Sequence, residues 1–125
     1  MEGQPPRFFA AVHDIFFGAK ISAAAKRVNL NMEMVSDADK ILEASAGSPS
    51  VVIIDLNDAA IHPIELIRKL KAAGQDPAVQ IIGFVSHVQS ETIREAQKAG
   101  CDLVLARSVF SQQLDDLLKQ RSCHL

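Results

Sequence analysis

Five short apolar runs alternate along the chain with segments whose apolar residues recur about every 3.6 positions, so the runs predict strands and the periodic segments helices. The predicted strands are Phe8–Val12, Met32–Val35, Val51–Ile54, Val79–Val85 and Leu103–Ala106. Residues 51–54 are apolar throughout, which is typical of a strand covered on both faces in a parallel sheet. The second strand has Asn31 and Glu33 around it, and we expect it at an edge.

Each periodic segment carries an apolar face that predicts a buried helix side. The five faces are Phe17, Ile21, Ala24 and Val28; Ala38, Ile41, Leu42 and Ser45; Leu66, Ile67, Leu70 and Ala73; Ile93 and Ala96; and Phe110, Leu114, Leu117 and Leu118. Ser36, with Asp39 three residues on, resembles a capping box and predicts where the second helix starts. Gly74 and Gly100 predict the ends of the third and fourth helices.

A strand followed by a helix, five times over, predicts an α/β fold. Right-handed crossovers between parallel strands place the helices on both faces of a single five-stranded sheet. We expect one domain over residues 1–125, with a loose leader at 1–7, a short tail at 122–125 and no further domain after Arg121.

Composition narrows the function classes. The chain has 125 residues, 48% of them apolar, and a net charge of −2, which argues against a dedicated nucleic-acid binder. No apolar run approaches the ~20 residues of a membrane span, and the start lacks the pattern of a signal peptide. The two cysteines, Cys101 and Cys123, have no metal-site spacing and are expected to be free thiols. We expect a cytoplasmic protein.

Polar residues gather where the predicted strands end, which is where ligands bind in open α/β sheets. His13-Asp14 follows the first strand, Asp55 ends the third, Ser86-His87 follows the fourth and Arg107-Ser108 follows the fifth. Asp55 directly follows four apolar β-branched residues, where desolvation is costly, so we expect a functional role. The others have structural alternatives: Asp14 or Ser108 as a helix cap, and Asp58 as a solvated loop charge.

The charges at this edge need a partner. Asp14 and Asp55 would repel each other at close range unless a cation joined them. Arg107 could supply that cation, or Mg²⁺ could, since Mg²⁺ prefers a few carboxylates together with waters and phosphate oxygens. The residues therefore leave two alternatives: a carboxylate that accepts a phosphoryl group, or one held permanently by Arg107.

Two stretches, VVIIDLNDAAIHPIELIRKLKA at 51–72 and AGCDLVLARS at 99–108, make the chain resemble a receiver domain of two-component response regulators. The resemblance extends from Phe8 to about Arg121, and it implies the flavodoxin-like strand order 2-1-3-4-5. By the same resemblance, Asp55 is the phosphoacceptor, and Asp14, Asp55 and the carbonyl of Asn57 would hold Mg²⁺. Ser86 takes the place of the switch hydroxyl and Arg107 that of the family's lysine.

Several departures make this receiver atypical. His13 replaces one of two adjacent acids, and because imidazole is a poor ligand for Mg²⁺, metal affinity should be weakened. Arg107 replaces lysine, and Val104 stands in place of the usual aromatic residue. A strict count of the spacing would put Val85 rather than Ser86 at the switch position.

A second expectation concerns Phe16 and Phe17. Both residues follow the first strand closely and could line the crevice, but simple core packing is the expected role for the pair.

Three functions follow. The first is a receiver that accepts a phosphoryl group on Asp55 from a sensor histidine kinase with Mg²⁺, and is no enzyme beyond this transfer to itself. The second is a pseudo-receiver in which Arg107 locks Asp55 and the domain acts as a protein-interaction module. Its contact face, which could also form a homodimer, would be the fourth helix, fifth strand and fifth helix. The third, a flavin or cobalamin binder, lacks the expected loop after the first strand.

Overall fold

A computed structural model describes residues 6–73, 79–86 and 90–123 of the chain. Its strands are β1 (Arg7–Ala11), β2 (Met32–Met34), β3 (Ser50–Asp55), β4 (Val79–Val85) and β5 (Leu103–Ala106). Its helices are α1 (Ile15–Arg27), α2 (Ala38–Ser45), α3 (Pro63–Ala73), α4 (Ser90–Ala99) and α5 (Arg107–Cys123), with a 3₁₀ turn at Ala59–Ile61. The predicted alternation of strands and helices is confirmed.

The five strands form one parallel sheet in the order β2-β1-β3-β4-β5, as predicted. β3 lies in the middle, paired with β1 on one side and β4 on the other. β2 is a three-residue edge strand. Because all five strands run the same way, the residues at their carboxyl ends meet at one edge of the sheet.

The continuous apolar run of β3 is explained by two separate cores. Val51 and Ile53 belong to the core beneath α1 and α5, whereas Val52 and Ile54 belong to the core beneath α2, α3 and α4. Successive side chains of a strand point to opposite faces, so a strand covered on both sides has no polar alternation.

Several element boundaries differ from the prediction. The cap of α2 is Asp37 rather than Ser36, because the Asp37 carboxylate accepts a hydrogen bond from the Asp39 N–H at 2.9 Å. β1 begins at Arg7, inside the predicted leader, and α5 continues to Cys123, inside the predicted tail. Gly74 lies outside the described residues.

Two further expectations concern cysteines and membranes. Cys101 is a buried free thiol, as predicted, while the side chain of Cys123 is not among those described. Within the described parts of the chain, every helix is too short or too polar to cross a bilayer.

Candidate functional site at the carboxyl edge of the sheet

Asp55 is the last residue of β3 and lies half-buried at the edge where the strands end. Its Oδ1 accepts a hydrogen bond from the Asn57 backbone N–H at 3.0 Å. Burial raises the pKa of Asp55, and the charges of Asp58 and Asp14 raise it further, while the Asn57 N–H and Arg107 lower it. The carboxylate therefore faces two other acids in a partly desolvated position, and its ionised form is poorly stabilised.

Asn57 connects Asp55 to the end of β4. Its backbone N–H binds the Asp55 carboxylate, and its side-chain Oδ1 accepts a hydrogen bond from the Ser86 N–H. Val85 is buried in the core, whereas Ser86 is exposed at the edge. Of the two residues considered for the switch position, Ser86 is therefore the one that can meet a ligand. Its neighbour His87 lies outside the described residues.

Arg107 is the first residue of α5 and makes three contacts. Its Nη2 lies 3.7 Å from Asp14 Oδ2, and its Nη1 lies 3.4 Å from Ser86 Oγ. The guanidinium carbon lies 4.7 Å from the centroid of the Phe17 ring, within the range of a cation–π contact. Among the described residues the acid in an ion pair with Arg107 is Asp14, while Arg107 acts on Asp55 only through its charge.

Phe16 and Phe17 differ in burial. Phe17 is buried and packs against Phe84 and Phe110, with ring centroids at 4.8 and 5.9 Å. Phe16 is 88% exposed, and Ile15 beside it is 82% exposed. Core packing is thus confirmed for Phe17 and wrong for Phe16, because a single helix turn can bury only one side of the pair.

Asp14 has a structural role in addition to its place at the edge. Its Oδ1 accepts hydrogen bonds from the N–H groups of Phe16 at 3.0 Å and Phe17 at 3.1 Å, so it caps α1. Its Oδ2 is turned toward Arg107. Ser108, the other proposed cap, lies within α5, one residue after its start.

Asp58 is held on both oxygens, so the expectation of a solvated loop charge is wrong. Oδ1 accepts a hydrogen bond from Ala60 N–H at 3.1 Å and caps the 3₁₀ turn, while Oδ2 bonds to His13 Nδ1. The Asp58 side chain is 14% exposed. Aspartate is a common helix cap, so Asp58 in front of Ala59 could have been predicted as the cap of the 3₁₀ turn. Its bond to His13 joins residues 45 positions apart, and no local sequence pattern predicts it.

The donors at this edge are oxygens, the type of ligand that Mg²⁺ prefers. Asp14 and Asp55 both supply carboxylates to the same neighbourhood, since the charge of Asp14 acts on Asp55. A cation there would relieve their repulsion, and the carbonyl of Asn57 follows in the same loop. Among the described residues no group of three or more His, Cys, Asp or Glu side chains is placed to hold a metal.

Comparison with known proteins identifies the fold. No protein-family model and no curated protein sequence matches the chain. A response regulator from Hahella chejuensis matches at 15% identity and a TM-score of 0.80, covering 95% of this chain and 96% of that one. The receiver domain of a Pseudomonas aeruginosa sensor histidine kinase, described with a magnesium ion in its active-site cleft, matches at 13% identity and 0.77, covering 94% and 98%.

A candidate pilus assembly protein from Burkholderia thailandensis matches at 22% identity and a TM-score of 0.67, covering 93% of this chain and 97% of that one. The chain therefore has the fold of the response-regulator receiver domains, over nearly its whole length. Within that fold, Asp55 ends the middle strand of the sheet. Asn57 bonds to its carboxylate, and the charges of Asp58, Arg107 and Asp14 act on it.

Proposed function

We propose that the protein is a signal receiver whose Asp55 accepts a phosphoryl group from the phosphohistidine of a sensor histidine kinase. The observation that carries this proposal is the state of the Asp55 carboxylate. It ends a buried strand and is half-exposed, and within the described residues its Oδ2 has no hydrogen-bond partner and no ion pair. A carboxylate oxygen placed this way is available as a nucleophile.

The transfer needs little chemistry from the protein beyond placing the groups. A carboxylate oxygen of Asp55 attacks the phosphorus, and the new O–P bond forms as the N–P bond breaks. The electron pair of the broken bond stays on the imidazole nitrogen, which takes a proton from water. Ser86 Oγ and the Arg107 guanidinium lie together, 3.4 Å apart, and can bind oxygens of the transferred group.

Positive charge is the main requirement of this reaction. The phosphoryl group adds negative charge where Asp14 and Asp58 already act on Asp55. Mg²⁺, when bound, would neutralise that charge. Asp14, Asp55 and the Asn57 carbonyl are the residues that would hold it, with Arg107 competing for Asp14. The domain then signals in the cytoplasm and is no enzyme beyond the transfer to its own Asp55.

A second candidate is a pseudo-receiver that binds protein partners without phosphorylation. Two residues that depart from the receiver pattern favour it, because each pairs with an acid at the carboxyl edge. Arg107 pairs with Asp14, and His13 pairs with Asp58. The first pair occupies an acid that a metal would otherwise use, and the second holds an acid whose charge acts on Asp55. In this alternative the contact face is α4, β5 and α5, through which two copies could also form a homodimer.

Intact-protein mass spectrometry separates the two. The protein is incubated with Mg²⁺ and acetyl phosphate, and separately with phosphoramidate, which presents the same P–N bond as phosphohistidine. We expect an adduct of one phosphoryl group that requires Mg²⁺ and is absent in Asp55→Asn. Asp116→Asn, which removes an exposed carboxylate of α5, is the matched control and should form the adduct normally.

Absence of the adduct with both donors, in a protein shown to be folded, would contradict the phosphoacceptor role and favour the interaction module. An adduct that persists in Asp55→Asn would place the modification elsewhere in the chain.

A further inference from the structure

Three of the four large apolar side chains that are exposed in the described part of the chain lie on one flank of the protein. Ile15 is 82% exposed and Phe16 is 88% exposed, both in the first turn of α1. Met34, at the end of β2, is 42% exposed, and its Cε would lie 3.2 Å from a Cβ placed on Gly18, one turn after Ile15. The phosphoryl transfer proposed for Asp55 uses none of these side chains.

The exposed side of α1 is largely apolar, unlike that of α2 or α4. Its residues are Ile15, Phe16, Ala19, Lys20, Ala23, Lys26 and Arg27. Every exposed residue of α2 and of α4 is polar or charged. A helix that is apolar on both sides is typical of one that is covered on both sides. Because only the side of α1 that holds Phe17 and Ile21 is covered by the core, the exposed side is left for a further contact.

Four exposed residues of α1 follow one another at intervals of three, four and three positions: Phe16, Ala19, Ala23 and Lys26. This is the spacing of the contact residues in a pair of packed helices. We call these four residues the α1 seam. At about 1.5 Å per residue, the seam extends about 15 Å along the helix.

We infer that the α1 seam binds the α1 seam of a second copy of the chain, with the two helices antiparallel about a two-fold axis. In that register Phe16 of each copy meets Lys26 of the other, and Ala19 meets Ala23. The aliphatic stem of the lysine covers the aromatic ring and brings its ammonium within the range of a cation–π contact. The two alanines let the helix axes approach closely. A two-fold interface requires such self-complementarity, because each contact occurs twice.

The charges of α1 also favour a second copy in this orientation. The helix carries three cations and no acid, and Asp14 caps its start. Two of the cations bind side chains of α5, which leaves Lys26 for the seam. Antiparallel pairing keeps the two Lys26 side chains at opposite ends of the contact and brings each one toward Asp14 of the other copy. The Asp14 side chain is 37% exposed and lies 3.7 Å from Arg107, so it can accept a second cation.

The size of the contact sets the expected affinity. One helix from each copy, with Ile15 and Met34 at the margin, buries less than the ~800 Å² per copy of a standard interface. We therefore expect a weak dimer, with a Kd of about 10–100 µM. Dimerisation does not depend on phosphorylation of Asp55.

Sedimentation equilibrium of the full, unphosphorylated chain tests the inference, in a dilution series that spans this Kd. We expect a monomer–dimer equilibrium that shifts with concentration. Phe16→Ser should weaken the dimer at least about tenfold, because each dimer loses two buried rings. Ala19→Lys should abolish it, since it places a long charged side chain between the helices. Ala72→Lys changes an exposed alanine of α3 in the same way, and this matched control should dimerise like the parent.

Cross-linking tests the antiparallel register. Ala19→Cys and Ala23→Cys are prepared separately, mixed and oxidised, and the parent chain serves as the blank for its native cysteines. Antiparallel pairing should cross-link the mixture faster than either variant alone. Parallel pairing would instead cross-link each variant with itself.

Three results would each overturn the inference. They are a monomer throughout the dilution series, a dimer that Ala19→Lys and Ala72→Lys affect equally, and cross-links that form as fast in each single variant as in the mixture. The first result would leave the exposed side of α1 to a different protein, and the second would place the dimer on another face, such as α4, β5 and α5. None of these outcomes bears on the mass-spectrometric test of Asp55.

Discussion

The two edges of the sheet treat their acids in opposite ways. At the amino edge, Asp102 precedes β5, and its Oδ2 accepts hydrogen bonds from Lys71 Nζ and the Ile81 N–H, both at 2.8 Å. Lys71 Nζ also donates to the Val79 carbonyl at 2.7 Å. At the carboxyl edge, Asp55 has one hydrogen bond, from Asn57, and the charges of Asp58 and Asp14 oppose that of Arg107.

The two acids differ in what surrounds the carboxylate. The acid at the amino edge is matched by a cation and backbone donors, so it ties α3 to β4 and β5. The acid at the carboxyl edge is raised in pKa by burial and by like charges, so it costs stability in its ionised form. An acid that costs stability in a cleft at a strand end is a candidate for a functional position.

The largest loss of stability is expected at Gly100, which packs closely against Lys71 at the amino edge. Gly100 has φ +116°, and a Cβ there would lie 2.7 Å from Lys71 Cγ. Gly100→Ala should therefore destabilise the fold by about 2–3 kcal/mol, from backbone strain and from displacing Lys71. Urea unfolding measures the change.

Gly47→Ala is the matched control for this variant. Gly47 also has positive φ, +79°, but a Cβ there would meet nothing within 4 Å. Strain alone should cost about 1 kcal/mol. Equal losses in the two variants would show that the contact with Lys71 does not matter.

The second largest loss of stability is expected from removing the carboxylate of Asp102. Asp102→Ala leaves the Ile81 N–H and the Lys71 ammonium without their carboxylate. We expect a loss of about 1–2 kcal/mol, reduced because both side chains are partly exposed. Asp116→Ala should stay within about 0.5 kcal/mol of the parent. A loss no larger than that of the control would mean that the amino edge is not tied together as described.

Removing the charge of Asp55 should raise the stability of the fold instead of lowering it. Asp55→Asn keeps an acceptor for the Asn57 N–H and removes the ionised group, so we expect slightly higher stability at neutral pH, by less than about 1 kcal/mol. The folded pKa of Asp55 lies above its ordinary 3.8, so the gain should shrink as pH falls through that raised pKa and vanish below 3.8. Urea unfolding at several pH values tests this. A gain that does not change with pH would contradict it.

The two edges also differ in how far sequence could predict them. The strands and helix faces follow from local apolar patterns, and Asp55 stands out because an acid directly follows β-branched residues. The bonds of Asp58 to His13 and of Asn57 to Ser86 join positions 45 and 29 residues apart, so no local pattern marks them. The exposure of Phe16 agrees with the predicted apolar face of α1, which includes Phe17 and Ile21 but not Phe16, so the periodic pattern was the better guide.

The finest test reads the Asp55 carboxyl directly, by ¹³C NMR titration. Burial is the largest cause of its raised pKa, and the charges of Asp58 and then Arg107 follow with opposite signs. Asp58→Asn should therefore lower the pKa of Asp55, because it removes a like charge, and Arg107→Gln should raise it by a smaller amount. A fall in the Arg107→Gln variant would show that Arg107 does not act on Asp55 as an opposite charge. A large rise would mean that Arg107 holds the carboxylate directly in solution, which is the lock of the pseudo-receiver. The size of the Asp55 pKa change in Arg107→Gln thus decides whether a cation holds Asp55 as Lys71 holds Asp102.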